Sequence, residues 1–366
     1  MNIIREPDKM GSYSPEDVIF LLRDIGHVSL EMEHNQREQL IQSGIHYSEM
    51  LPMEYQPSEA YMSLFYQTLD DYAERIAVAV GIVAEQIVAK QGLEHLVLVS
   101  LARAGTPVGI LIKRYLKIRY NKSVPHYSVS ILRGRGVDET AIRYIFAKHP
   151  SAHIQFVDGW TGKGAIANEL LQACDAFNAR HRQQLDATLA VLADPGHCAA
   201  IYGTREDFLI PSACLNATVS GLVSRTILNL QFMDKYDFHG AKYYKELEDV
   251  DVSNFYIDSI TSHFNHVENQ IEQQLLQETE TKVTWTGMET VQRIQQTFNI
   301  TNINFIKPGV GETTRVLLRR MPWKILINPQ HIDELEHILL LAKERNIVVE
   351  EYPNMSYACC GLIKEA

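Results

Sequence analysis

The chain has no apolar run approaching the roughly 18 to 20 residues that span a bilayer, so neither a membrane helix nor a membrane partner is expected. Its opening stretch, MNIIREPDKMG, lacks the apolar core of a signal peptide, and the expected location is the cytoplasm. Cysteine is scarce: the five residues are Cys174, Cys198, Cys214 and the adjacent Cys359 and Cys360. With an odd count and no CxxC pair neither a disulfide framework nor a zinc site is expected, and free thiols suit a reducing compartment. Tracts rich in Pro, Gly or Ser are missing, which argues against long disordered segments. The triphosphate P-loop is absent too, because it needs four residues between its first Gly and its Gly-Lys pair. Here only Trp160 and Thr161 separate Gly159 from Gly162-Lys163.

What is present is the composition of a globular protein, 46% hydrophobic and 22% charged, over 366 residues, enough for two domains that each bury a core. The formal charge of -11 is uneven: from residue 281 onward ten Lys/Arg face nine Asp/Glu, whereas the first 280 residues carry 24 against 36. Only the C-terminal part is electrostatically open to a polyanion such as RNA.

Patterning predicts an amphipathic helix over 14–25, opened by Ser14-Pro15-Glu16-Asp17, and a longer one over about 58–90. The segment His46–Pro52 between them reads as a connector or as a hood over a site. After Gly92 short apolar runs alternate with helical stretches. Strands are expected at Leu96–Val99, Tyr127–Leu132, Ile154–Val157 and Thr188–Leu192, with helices over Pro107–Leu116, Glu139–Lys148 and Ala165–Phe177. This rhythm implies an α/β fold with a mainly parallel, doubly covered sheet, whose ligands gather at strand ends. One helix over about 252–280 then leads to a second, smaller α/β unit. There helices are expected at Thr290–Phe298, Thr313–Arg320 and Ile332–Glu344, and strands near Asn304–Ile306, at Lys324–Ile327 and at Ile347–Glu350. The expected domains are 1–280 and 285–366.

Two strand-end loops carry chemistry. Ser100-Leu101-Ala102-Arg103-Ala104-Gly105 ends an apolar strand and offers hydroxyl, cation and backbone N–H groups to an anion such as a diphosphate. Asp158-Gly159-Trp160-Thr161-Gly162-Lys163-Gly164 sets one carboxylate beside a Thr/Gly/Lys turn at a helix N-terminus, a cradle suited to a phosphate monoester. A basic turn, Arg133-Gly134-Arg135, follows another strand and could stabilise departing charge. Asp194 and His197, close to Tyr202, Thr204 and Arg205, also lie just past a strand and are candidates to position an acceptor or take its proton. A plain structural histidine is the competing reading.

Together the two loops resemble the type I phosphoribosyltransferases. The resemblance implies a doubly wound sheet, binding of phosphoribosyl diphosphate with Mg2+ carried by that ligand, and transfer or removal of a phosphoribosyl group on a base or nucleoside-like metabolite. On it Ser100, Ala102, Arg103, Ala104 and Gly105 hold the diphosphate, and Asp158, Gly159, Thr161, Gly162, Lys163 and Gly164 hold the sugar phosphate. Asp158, Arg133, Arg135 and His197 are the catalytic candidates. Asp158 is also the one protein group that could reach a metal, with Gly159 standing where the family has a second acid. More closely, SLARAGTPVG, VDGWTGKGA and HCAAIYGTREDFLIPSACLNATVSGLVSRTI resemble the phosphoribosyltransferase-like proteins of bacterial tellurite-resistance stress operons, also labelled StiP-type cysteine proteases. A peptidase would place its nucleophile at Cys214, with His197 or His239 as base.

The last segment, Gly309-Val310-Gly311-Glu312-Thr313-Thr314-Arg315 followed by Arg319 and Arg320, resembles the Pelota and kink-turn-binding ribosomal protein family. That implies contacts to structured RNA through Gly309, Gly311, Glu312, Arg315, Arg319 and Arg320, with Gly311 in place of the family's base-reading Asn. A module that merely packs on the enzyme or makes it a homodimer is the alternative. A catalytically idle RNA-binding ligand sensor is the third functional class left open.

Overall fold

The computed structural model describes residues 4–54, 56–234, 236–277, 282–319 and 322–363. Its ten α-helices in those residues are α1 (His34–Gln42), α2 (Glu59–Gln91), α3 (Gly105–Tyr120), α4 (Glu139–Lys148), α5 (Ala165–Arg180), α6 (Ser253–Thr261), α7 (Glu268–Gln277), α8 (Thr286–Thr297), α9 (Val310–Arg319) and α10 (Glu336–Glu344).

The larger sheet has six strands in the spatial order Ile19–Phe20, His126–Val129, Leu96–Leu101, His153–Trp160, Leu189–Ala193, Ile201–Thr204. Every neighbouring pair is parallel. Leu96 and Leu98 enter one apolar layer, while Val97, Val99 and Leu101 enter the other. Burial on both faces is why the sequence reads here as an unbroken apolar run. One layer is built on α2, α3, α6 and α7; the opposite layer holds Ile142 and Ile145 of α4 and Leu170 and Phe177 of α5. The last two strands run parallel although only residues 194–200 join them. The register, Ala193 beside Thr204, requires a return of just a few residues, about 10 Å at the usual strand rise, and a tight loop achieves it without a helix.

Three expectations fail here for physical reasons. Residues 14–25 form no helix: Asp17 and Val18 donate to the Ser14 carbonyl in one turn, and Ile19–Phe20 then pairs along His126–Val129. Val18, Phe20 and Leu22 enter one layer and Leu21 the other, a period of two that the run VIFLL satisfies better as a strand. The single helix expected over 252–280 is two, α6 and α7. Ser259, Thr261 and Ser262 hydroxyls donate back to the carbonyls of Phe255, Ile257 and Ser259, and such back-bonding loosens a helix end. Residues 278–281 lie outside the described residues. The helix expected over 332–344 is a 3-10 turn, Pro329–Glu334, followed by α10.

The C-terminal unit has a four-stranded sheet in the order Ile306–Pro308, Cys359–Leu362, Lys324–Ile327, Val348–Glu351, antiparallel at the first two pairings and parallel at the last. It shares a core with the larger unit, since Val310, Leu317, Ile325 and Ile327 belong to the same apolar cluster as Ala213, Cys214 and Leu215. No described helix is long and apolar enough to cross a membrane.

Candidate active site

The strands Leu96–Leu101 and His153–Trp160 are adjacent, and the chain leaves them toward different neighbours, the switch point at which α/β sheets open a crevice. A cavity of about 820 Å³ lies there. Arg103 and Trp160 border it from the strand ends, Leu132 and Arg133 from the next loop, Tyr47, Glu54 and Tyr61 from the N-terminal segment, and Cys214, Asn216 and Arg225 from the loops beyond residue 210. Arg315 of α9 completes the wall. The segment read as a connector or hood thus lines the cavity.

The loops read as an anion cradle turn most of their polar groups inward. Ser100 is fully buried, its Oγ 2.9 Å from the Gly105 carbonyl and 2.7 Å from His126 Nε2. Burial holds His126 down to about 3, so the imidazole is neutral and this cluster fastens the strand to the start of α3. The Ala102–Arg103 peptide is cis. Arg103 reaches the Val223 carbonyl at 3.3 Å and Asn216 Oδ1 at 3.2 Å, with Glu54 3.5 Å away. Ala104 borders the cavity, and Gly105 is pressed against the Val157 carbonyl.

Thr161, buried, donates to Asp194 and accepts from the Gly196 N–H at 3.2 Å. Asp194 also accepts from Cys198 N and Ala199 N and pairs with Arg205, so its carboxylate is fully engaged in holding the 194–200 loop. Lys163 Nζ donates to the Ile303 carbonyl at 2.7 Å; burial, then the charges of Lys307 and Arg133, bring it down to about 8. The Gly162 carbonyl accepts from Tyr357 OH at 3.1 Å, and Gly164, at φ +79°, packs against Trp285. The cradle is thereby a docking surface for the C-terminal unit.

Asp158 sits at the strand tip with Oδ1 accepting from Gly159 N at 2.8 Å. Burial pushes it up to about 7, against the opposing charge of Arg315. Arg135 pairs with Glu49 on the exposed hairpin, whereas Arg133 faces the cavity. His197 is in the left-handed region at φ +53°, and its carbonyl accepts from Thr284 N and Trp285 N. His239 is buried, its Nδ1 2.8 Å from Ser130 Oγ, and burial lowers its pKa. No histidine is among the described residues that border the cavity.

The proposed RNA face is also turned inward. Gly309, at φ +90°, lies beside Asp207, whose Oδ1 accepts from Val310 N at 2.9 Å and whose Oδ2 accepts from Ala358 N at 2.8 Å. Gly311 packs on Ala213, and Glu312 lies 3.5 Å from Arg315. Arg315 Nε donates to the Ala213 carbonyl at 3.0 Å, with the guanidinium over the Trp160 ring. Arg320 and the Arg319 side chain lie outside the described residues.

All five cysteines are free and buried. Burial pushes Cys174, Cys198 and Cys360 each up to about 12 and raises Cys359 as well. Cys214, which caps the short 3-10 turn Pro211–Ala213, is the one of the five that borders the cavity. Among the described residues no three His, Cys, Asp or Glu side chains gather as a metal site. Sequence reasoning singled out Cys214, Arg103 and Arg133 but missed Arg225, whose signal was a lone cation inside the apolar stretch GLVSRTIL.

Residues 11–261 match a family described as tellurite-like stress resistance cysteine protease StiP, and residues 285–365 match the PELOTA RNA binding domain. A protein of Acinetobacter baylyi named cysteine protease StiP is 34% identical over 352 residues, covering 91% of this chain and 88% of that one. These matches overturn the expectation of a phosphoribosyltransferase acting on phosphoribosyl diphosphate, and the peptidase alternative is the better fit. The physical reason the loops misled is visible: glycine-rich strand-to-helix turns look alike whether their polar groups face a phosphate or the protein itself, here Asp194 at Thr161 and the C-terminal unit at Gly162 and Lys163.

Proposed function

Because the chain belongs to the tellurite-like stress resistance cysteine protease family StiP, we propose that it is a cysteine peptidase with Cys214 as its nucleophile. The observation that carries the assignment is that Cys214 alone of the five cysteines borders the cavity. The reactive species of such an enzyme is the thiolate, which neighbouring cations stabilise. Arg103, Arg225 and Arg315 share the cavity wall with Cys214 and supply that field. Asp158, two residues before Trp160 of the cavity wall and within the field of Arg315, is pushed up to about 7 by burial and is the proposed acceptor of the thiol proton. In the reaction the sulfur attacks the scissile carbonyl, the amine leaves with the proton held by Asp158, and water then hydrolyses the thioester.

The test is hydrolysis of an unfolded protein such as casein. Cys214→Ser should lose at least about 100-fold in rate, judged against what single catalytic groups contribute, with its circular dichroism unchanged, and iodoacetamide should inactivate the wild type by alkylating Cys214. Retained hydrolysis in Cys214→Ser, or equal loss in Cys198→Ser, would remove Cys214 from the role.

A second activity, binding of structured RNA by residues 285–365, is supported by the match to the PELOTA domain. A gel shift with a kink-turn RNA at low salt tests it. Since Gly309–Arg315 is covered by Asp207, Ala213 and Trp160, binding through that face requires the unit to undock.

A further inference from the structure

The cavity beside Cys214 has a charge opposite to that of the chain around it. In a protein of net charge -11, its wall presents Arg37, Arg103, Arg133, Arg225 and Arg315 against only Glu33 and Glu54. Arg103 is shared among Glu54, Asn216 and a carbonyl, and Arg315 among Glu312 and the Ala213 carbonyl. Arg225 and Arg133 have no carboxylate partner among the described residues, and Arg225 rests on the Tyr47 ring at 4.8 Å. Burial, followed by the charges of Arg37, Arg103 and Arg133, brings the Arg225 guanidinium down to about 10 even though the phenol of Tyr47 opposes this. The largely buried Arg225 guanidinium is therefore repelled by three others around the cavity, a cost that an anionic occupant would relieve.

We propose that this cavity takes an acidic peptide segment, with Arg225 and Arg133 receiving its carboxylates and the backbone passing Cys214. The inference rests on the peptidase reading and adds its substrate class. Size and lining favour a peptide over a small anion. The space, about 820 Å³, is that of a pocket for a ligand of several residues. The arginines come from separated segments, and Met32, Met53, Pro57, Ile131 and Leu132 add apolar surface to the same wall. A bidentate guanidinium–carboxylate pair is the strong directional contact available to such a site.

The test uses full-length protein carrying Cys214→Ala, so that nothing is turned over, and calorimetric titration with an acetylated hexapeptide of alternating Glu and Leu. The Glu peptide should bind with an affinity that falls as salt rises, while the corresponding Lys peptide should not bind. Arg225→Gln and Arg133→Gln should each weaken the Glu peptide at least tenfold, and Arg225→Lys should restore part of the loss. Arg133 is exposed, so its variant carries the test even if Arg225→Gln does not fold. Equal affinity for the two peptides overturns the inference. Binding of inorganic diphosphate that the Glu peptide cannot displace also overturns it. Binding of the Glu peptide by a wild-type protein that cleaves nothing would sink the peptidase reading and leave the acidic-peptide site standing. Cleavage of both peptides with equal kcat/KM would do the reverse.

Discussion

At the residue scale the site is defined by what burial does to single ionisable groups. Asp158 is held up to about 7 in the folded protein, above the unfolded value near 3.9. Between about pH 4 and 7 the folded chain therefore keeps a proton that the unfolded chain has released, and the stability contributed by this group falls as pH rises through that window. Asp158→Asn keeps an acceptor for Gly159 N and lacks this slope. Urea unfolding should find the variant more stable than the wild type at pH 8, by on the order of 2 kcal/mol after discounting for partial exposure, with the gap closing below about pH 4. On the proposed role of Asp158 its hydrolysis of casein should fall despite the gain in stability. A gap between variant and wild type no larger at pH 8 than at pH 4 would mean that Asp158 is solvated and ionised throughout.

At the element scale the cavity depends on how closely α3 and α9 approach the strand ends. A methyl on Gly105, at the start of α3, would fall 2.3 Å from the Val157 carbonyl and 3.0 Å from Asp158 Cα, both backbone atoms of a central strand. At Gly81, in α2, the first obstacle is the Ile271 Cδ1 methyl at 2.2 Å, the far end of a flexible side chain. Alanine gains about 1 kcal/mol in helix preference at an interior position such as Gly81, whereas overpacking costs roughly 1 to 3 kcal/mol. Gly105→Ala should therefore lower the melting temperature clearly more than Gly81→Ala, and calorimetry on the two proteins decides it. The reverse order would show that the central strand yields where the Ile271 side chain does not.

At the scale of the whole molecule the second unit is part of the first one's site. Asp207 is buried, is pushed up to about 6 by that burial, and accepts from Val310 N and Ala358 N across the junction. Arg315 places its guanidinium in the cavity only because α9 is docked there. Asp207→Ala leaves two buried N–H groups unpaired, each costing about 1 to 3 kcal/mol. The variant should unfold about 2 to 6 kcal/mol more easily by the same count, show faster amide exchange in α9 and in Cys359–Leu362, and hydrolyse casein more slowly. If the module loosens and hydrolysis is unchanged, Arg315 is no part of the working site.

The sequence alone determined what depends on neighbours a few residues apart. The bounds of α4 and of the strand Lys324–Ile327 are legible residue for residue, and the loops expected after Val99 and Val157 do follow strands, which the structure carries on to Leu101 and Trp160, because apolar periodicity and helix-start signals are local. Cys214 was read, on residue type and resemblance, as the place where a peptidase would put its nucleophile. Tertiary structure decided the rest. Val18–Leu22 became a strand because both faces of a sheet edge needed filling, a demand made by residues about a hundred positions away. Thr161, Gly162 and Lys163 face the protein itself because their partners are Asp194, Tyr357 and Ile303. Arg225 meets Arg103 and Arg133 only where three chain segments converge. A turn dictates that donors are available; what they donate to is set by which distant surface closes over them, and local pattern carries no record of that.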